Sequence, residues 1–187
     1  MNKKEISVYV IRRLCDENNS GWIKQIYNLV AIEAEKDHML LRSLEEIEER
    51  ISKGQVVAAL VGENLVGNCF FHPWSNDLVE ICGLVVDERF RQRGIGTSLI
   101  KQATFLSQKL YPKAQIFCLT DVTDRPDRAV ERFLAAGFEK TEKNVLPDGV
   151  WKWCEIDQCP DWLAGKFPNC KCSAMIYKKS QNTKAEE

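Results

Sequence analysis

The apolar run Ile81–Val86 is followed by the polar stretch Asp87–Arg93, then by Gly94-Ile95-Gly96, and then by amphipathic residues from about Thr97 to Leu110. That order predicts a buried strand, a tight turn and a helix, the nucleus of an α/β architecture. The turn is also a ready anion site. Glycines let the backbone approach closely, and successive N–H groups and the helix N-terminus face the anion. Arg91 and Arg93 add full charges, with Arg89 just upstream. A pyrophosphate is the expected ligand. Two familiar phosphate loops do not fit: a dinucleotide fingerprint wants a third glycine where Leu99 stands, and a P-loop wants Gly-Lys-Ser/Thr where Gly96-Thr97-Ser98 stands.

The remaining segments supply the elements of one domain. Ile6–Arg12 reads as a strand, and Trp22, Ile23, Ile26, Leu29, Val30 and Ala34 recur at helical spacing. Ser43 and Glu46 have the spacing of a capping box, which starts a second helix that ends by Gly54. Gln55–Val61 and Leu65–Phe71 make a hairpin across Gly62-Glu63-Asn64. Pro73, Ser75 and Asn76 read as a turn before the central strand Leu78–Val86. Ala114–Leu119 is the next strand, Arg128–Ala136 a short helix closed by Gly137, and Phe138–Glu142 and Ala174–Lys178 the last strands. Residues 1–179 are therefore expected to form a single domain with a cysteine-rich excursion at 146–173, and 180–187 a polar tail.

Composition narrows the partners. A chain of 187 residues can bury a core without disulfides, and 44% apolar with 28% charged residues is a globular balance. A net charge of −1 gives no general pull towards nucleic acid or anionic lipid, so neither nucleic acid nor membrane is an expected partner. No apolar run approaches the roughly 20 residues that span a bilayer. Met1-Asn2-Lys3-Lys4-Glu5 lacks the features of a secretory leader, so the expected location is cytoplasmic.

The turn Arg91-Gln92-Arg93-Gly94-Ile95-Gly96 has the pattern Arg/Gln-x-x-Gly-x-Gly/Ala, and downstream stand Ala129, Phe133 and Gly137-Phe138. From about Leu65 to Lys140 the chain resembles the GNAT N-acetyltransferases. The resemblance implies an α/β (α+β) fold: a central mixed, mostly antiparallel sheet of about six to seven strands flanked by about four helices. It implies acetyl-CoA as cosubstrate, held by Arg91, Gln92, Arg93, Gly94, Ile95, Gly96 and Thr97. It also implies that the backbone of Leu84, Val85 and Val86, on a strand that splays from its neighbour, binds the pantetheine arm. The implied reaction is acetyl transfer to a primary amine by direct attack in a ternary complex, which requires a neutral amine, an oxyanion donor and alignment. Glu80 is the candidate base, the alternative being an exposed carboxylate at a strand end. Two departures from the family pattern are visible. Phe133 stands where many members have a tyrosine that protonates the departing thiolate, and Pro126 replaces a common asparagine. Tyr111 has no assigned place. A thiol with pKa about 8.5 is a tolerable leaving group even unprotonated.

Of eight cysteines, Cys69, Cys82 and Cys118 lie in apolar runs, as small buried hydrophobes do, and Cys15 precedes a polar loop. Cys154, Cys159, Cys170 and Cys172 crowd into one segment. Four thiolates suffice for a tetrahedral zinc site, with reduced structural thiols as the alternative. Leu146–Cys154, Phe167–Cys170, Ala174–Tyr177 and the upstream Asp77–Ile81 resemble GNAT members of the N-acetylglutamate synthase type, which implies an amino-acid acceptor. That group commonly has arginine where Cys82 stands, and only a planar guanidinium fork binds a carboxylate bidentately. Polyamine, peptide and antibiotic amines therefore stay open as acceptors, as does a homodimer. Trp151, Trp153 and Trp162 are expected to pack around the cysteines, His72 to make structural hydrogen bonds and His38 to be solvated. Two other classes of function remain: a catalytically silent acetyl-CoA sensor, and an interaction protein organised by a zinc site.

Overall fold

The computed structural model describes residues 7–11, 20–36, 39–121, 128–156, 159–170 and 172–178. The elements are β1 (Ser7–Ile11), α1 (Ser20–Ala34), α2 (Leu44–Ser52), β2 (Val56–Val61), β3 (Asn64–Ser75), β4 (Leu78–Val86), α3 (Ile95–Leu110), β5 (Gln115–Asp121), α4 (Arg128–Ala135), β6 (Phe138–Thr141), α5 (Asp148–Ile156), α6 (Pro160–Leu163) and β7 (Cys172–Tyr177). The seven strands form one sheet in the order β1-β2-β3-β4-β5-β7-β6. Every neighbouring pair is antiparallel except β4 with β5. Cys15, His38, Pro126 and the tail 180–187 lie outside the described residues, as does the side chain of Trp153.

Three apolar clusters hold the elements together. Leu99, Ile100 and Ala103 of α3 meet Phe71 and Ile81 of the sheet on one face, and Phe133 of α4 joins them edge-to-face with Phe138 at 5.1 Å. Ile26 and Val30 of α1 and Ile47 and Ile51 of α2 cover Phe70 on the other face. Val150 and Trp151 of α5 cover Phe117 of β5 and Ala174 of β7. Gly67 admits α3 to the sheet, since a Cβ there would sit 2.9 Å from the Val85 carbonyl oxygen and 3.2 Å from Leu99 Cδ1.

Several boundaries differ from the sequence expectation for local reasons. Ser43 Oγ accepts the Glu46 N–H at 3.1 Å as a capping box requires, but the Glu46 carboxylate turns to Arg42 and Arg50 instead of completing the box. Val61 pairs with Asn64, so the first hairpin turn shortens to Gly62-Glu63. β3 continues through Pro73 to Ser75, and the turn falls at Asn76-Asp77. Pro73 is tolerated because the register shifts immediately after it. The excursion at 146–173 folds into α5 and α6, so the described residues hold six α-helices where about four were expected. Among the described residues no helix is long and apolar enough to cross a membrane.

Candidate active site

β4 and β5 are paired only at Leu78–Gln115, Val79–Ile116 and Glu80–Phe117. Beyond Glu80 they part: β5 continues to Asp121 alongside β7, while β4 stays paired with β3 alone. A bulge sits at the parting. Phe70 pairs with Cys82 and Asn68 with Val85, so Gly83 and Leu84 together oppose Cys69. Gly83 has φ +57°, and a Cβ on it would lie 2.3 Å from Phe70 Cδ2, so both conformation and space demand glycine. The Asn68 amide nitrogen donates to the Gly83 carbonyl at 3.0 Å and holds the bulge. The extra residue shifts the alternation. Cys82 and Val85 pack on the α1–α2 side, whereas Leu84 and Val86 pack on the α3 side. The predicted splay is thus present, and among the described residues no strand pairs with the β4 edge of Leu84, Val85 and Val86 on the β5 side.

The turn after β4 leads into α3. Gln92 (φ 62°) and Gly94 (φ 80°) both take left-handed conformations, and Gln92 is the one non-glycine to do so among the described residues. Gly94 is the N-cap of α3 and supplies no side-chain cap, which is why the helix starts at Ile95, ahead of the expected Thr97. Ser98 N–H donates to the Gly94 carbonyl at 3.0 Å. The amides of Ile95, Gly96 and Thr97 therefore lie in the first turn, where no intrahelical acceptor exists, at the positive end of a 16-residue helix. Around a Cβ on Gly96 the nearest atoms would be Val86 Cγ2 at 3.8 Å and Arg132 Cγ and Leu84 Cδ2 at 3.9 Å, ordinary contacts. Packing around that Cβ therefore does not require glycine there.

The arginines divide their labour. Arg91 Nε donates to the Val86 carbonyl at 3.0 Å and its Nη2 pairs with the buried carboxylate of Glu33 at 2.7 Å. The Arg91 side chain thus ties the turn to α1. Arg89 pairs with Asp87 at 2.6 Å. Arg93 lies over the Phe90 ring at 5.2 Å, exposed at the turn. Sequence reasoning missed Arg132. Its stem reaches Gly96 only because α4 packs against α3, and no local pattern reports that contact.

At the other end of the splay, Trp74 Nε1 donates to Glu80 Oε2 at 3.1 Å and orients the candidate base. His72 stands across β3 from Glu80 and packs edge-on against Trp74 at 5.5 Å, so it belongs to β3 and not to a loop. Burial, and then the Arg50 guanidinium, push the His72 imidazole below its ordinary range, which keeps it neutral. Burial, reinforced by Glu80, pushes the Cys82 thiol up to about 12. Burial likewise raises Cys69 and Cys118. These thiols stay protonated at neutral pH and offer no thiolate for a covalent acyl-enzyme. Phe133 is a core residue, 3% exposed, that faces Phe138. Tyr111 caps the far end of α3, remote from Gly94.

The four clustered cysteines do not assemble. Cys154 lies in α5, Cys172 opens β7, and Lys143 Nζ sits 2.8 Å from Cys170 Sγ. Among the described residues, which include all four, no group of three or more His, Cys, Asp or Glu side chains could hold a metal ion. The zinc expectation is therefore corrected. The four cysteines are divided among α5, the start of α6, the segment before β7 and β7 itself. Trp151 and Trp162 pack as expected, both against Phe167. A cavity of about 340 Å³ on the β6–β7 edge, lined in part by Lys140, Lys143 and Cys172, contains neither Glu80 nor the glycine turn.

The seven strands thus make one mixed sheet whose parallel pair, β4 with β5, parts beside the N-terminus of α3. The profile of the Acetyltransferase (GNAT) family matches residues 22–138. An uncharacterised N-acetyltransferase of Chlorobaculum tepidum is 32% identical over 127 residues, 67% of this chain and 74% of the relative. The chain belongs to the GNAT acetyltransferase family. Among solved structures, N-acetylglutamate synthase of Neisseria gonorrhoeae, complexed with coenzyme A and N-acetylglutamate, has a TM-score of 0.68 at 18% identity over 96% of this chain. This chain spans only 36% of that synthase. A Mycobacterium tuberculosis protein in complex with CoA has a TM-score of 0.67 at 20% identity, covering 93% of this chain and 99% of its own. These structural likenesses support the fold.

Proposed function

We propose that the protein transfers the acetyl group of acetyl-CoA to the primary amine of a small molecule, with the α-amine of an amino acid as the acceptor. The observation that carries this reading is the parting of β4 from β5 just after Glu80, in line with the open N-terminus of α3. The residues present fit the cosubstrate. The amides of Ile95, Gly96 and Thr97 face a pyrophosphate, bare Gly96 lets it approach, and exposed Arg93 and the stem of Arg132 flank it. The side of β4 at Leu84, Val85 and Val86 that faces away from β3 offers the pantetheine arm a strand edge to pair with.

Glu80, oriented by Trp74, takes the proton from the attacking amine, directly or through water. The nitrogen bonds to the thioester carbon, the carbon–sulfur bond breaks, and sulfur leaves with its electron pair. The α-amine of an amino acid is less basic than a lysine side-chain amine, whose reference pKa is near 10.4, and so asks less of that base. High-pKa thiols around the site agree with direct attack. Thiol release from acetyl-CoA across a panel of amines tests the reading. Glu80→Gln is expected to lower kcat by about 10² to 10⁴-fold while acetyl-CoA binding by calorimetry persists. Binding without thiol release for any amine would instead identify a sensor of acetyl-CoA.

A further inference from the structure

The α2 side of the gap carries a charge that acetyl transfer itself leaves unused. Arg50, in the last turn of α2, has an 11% exposed side chain whose guanidinium carbon lies 5.6 Å from the centre of the Phe70 ring. It stands within electrostatic reach of Cys82 and Glu80. Because Phe70 pairs with Cys82 and His72 with Glu80, the guanidinium sits beside the two rungs that present the candidate base. Arg50 Nε and Nη2 both donate to Glu46 Oε1, at 3.1 and 2.9 Å, and Arg42 Nη1 donates to the same oxygen at 3.2 Å. The last arm, Arg50 Nη1, is closed to solvent and has no hydrogen-bond partner among the described residues.

A buried donor without an acceptor is destabilising, the more so on a charged group. Two guanidiniums share one carboxylate here, so the Arg42–Glu46–Arg50 cluster is net positive on the side facing β4. His72 senses that field: beyond burial, Arg50, Arg42 and Lys53 disfavour its protonation, against Glu46 and Glu49, which favour it. Glu80 stands one rung away, and two strand residues span roughly 6.6 Å. Both Glu80 and Arg50 lie within electrostatic reach of Cys82, so one small molecule there can bring its amine to Glu80 and its anion to Arg50. A polycation would meet repulsion at the same place.

We infer that Arg50, steadied by Arg42 through Glu46, receives the carboxylate of the acceptor, so that the substrate is an amino acid and not a polyamine. The arginine arrives from α2, whereas the β4 position on the same side holds Cys82. The inference rests on the acetyl-transfer reading with Glu80 as base. It is tested on the full chain with acetyl-CoA, measuring thiol release for the common amino acids, their carboxamides and spermidine. Wild type should favour acids over amides. Arg50→Lys keeps a positive charge but loses the fork, and the acid-to-amide ratio of kcat/KM should fall by about 10- to 100-fold, the scale of a lost charged hydrogen bond. Arg50→Gln should move the ratio the same way. Taking the ratio cancels any common loss of folded protein and the different basicity of the two amines. An unchanged ratio in both variants, or a wild-type preference for amides or spermidine, would overturn the inference while leaving acetyl transfer intact. Absence of thiol release with every amine would overturn the acetyl-transfer reading and this inference with it.

Discussion

Individual side chains at the gap are set by burial as much as by partners. His72 is the clearest case, since burial and the Arg50 guanidinium hold its imidazole below the ordinary range. The unfolded chain, with a histidine pKa near 6.5, then binds more protons than the native state over the interval below that value. Stability is fully present above about pH 6.5 and is lost as pH falls through the lower native value. His72→Gln removes this titration. Urea midpoints measured at pH 7.5, 6.5 and 5.5 should fall less steeply for the variant than for wild type, and parallel curves would show that His72 does not contribute. Glu80 was legible as a candidate base from the family resemblance together with its place near the start of an apolar strand. Arg50 was not, since its partners Glu46, Phe70 and Cys82 come from three elements and only tertiary packing gathers them. The same holds for the pairing of Arg91 with Glu33 of α1, which lies 58 positions upstream.

The elements were legible wherever apolar period and punctuation agreed, as in β4, α3 and the Ser43 start of α2. They were misread where a local device overrides a residue's usual meaning. Pro73 and Ser75 signal a turn, yet a register shift lets β3 run through them. α3 begins ahead of its apolar period because the left-handed Gly94 supplies the N-cap. Two glycines show how different their element-level roles are. At Gly94 there is open space and only the φ of +80° opposes a side chain, so Gly94→Ala should cost on the order of 1 kcal/mol. At Gly67 a Cβ would be forced within 2.9 Å of a main-chain oxygen in β4, and backbone cannot swing aside as a side-chain tip can. Gly67→Ala should therefore cost about 1–3 kcal/mol, pushing α3 off the sheet. In a domain of this size each kcal/mol is roughly 2–4 °C in Tm, so calorimetry should rank Gly67→Ala below Gly94→Ala. The reverse order would mean that α3 shifts on the sheet at little cost.

At the scale of the whole molecule, the sheet order separates two tasks. On one face β2 to β4 pack with α1 and α2, and β5 and β7 pack with α5, while on the other face α3 covers a cluster that runs from β2 to β7 across the place where β4 and β5 lose contact. Such a junction has few strand hydrogen bonds of its own, only three paired positions. A ligand that lies along the β4 edge and ends on the amides of α3 would cross this weak seam and bind the folded chain alone. Linkage then gives about 2.7 kcal/mol of added stability at 100 times Kd, a Tm rise of roughly 5–11 °C. Gly96→Val separates ligand binding from fold. The nearest protein atoms to a Cβ there are 3.8 Å away, so the unliganded variant should melt within about 2 °C of wild type, by the same conversion for a small surface change. Its branched side chain would occupy the space above the first-turn amides, and acetyl-CoA should no longer raise its Tm. A full ligand-induced rise in Gly96→Val would place the coenzyme elsewhere, and a collapsed unliganded Tm would mean that glycine at 96 serves packing after all.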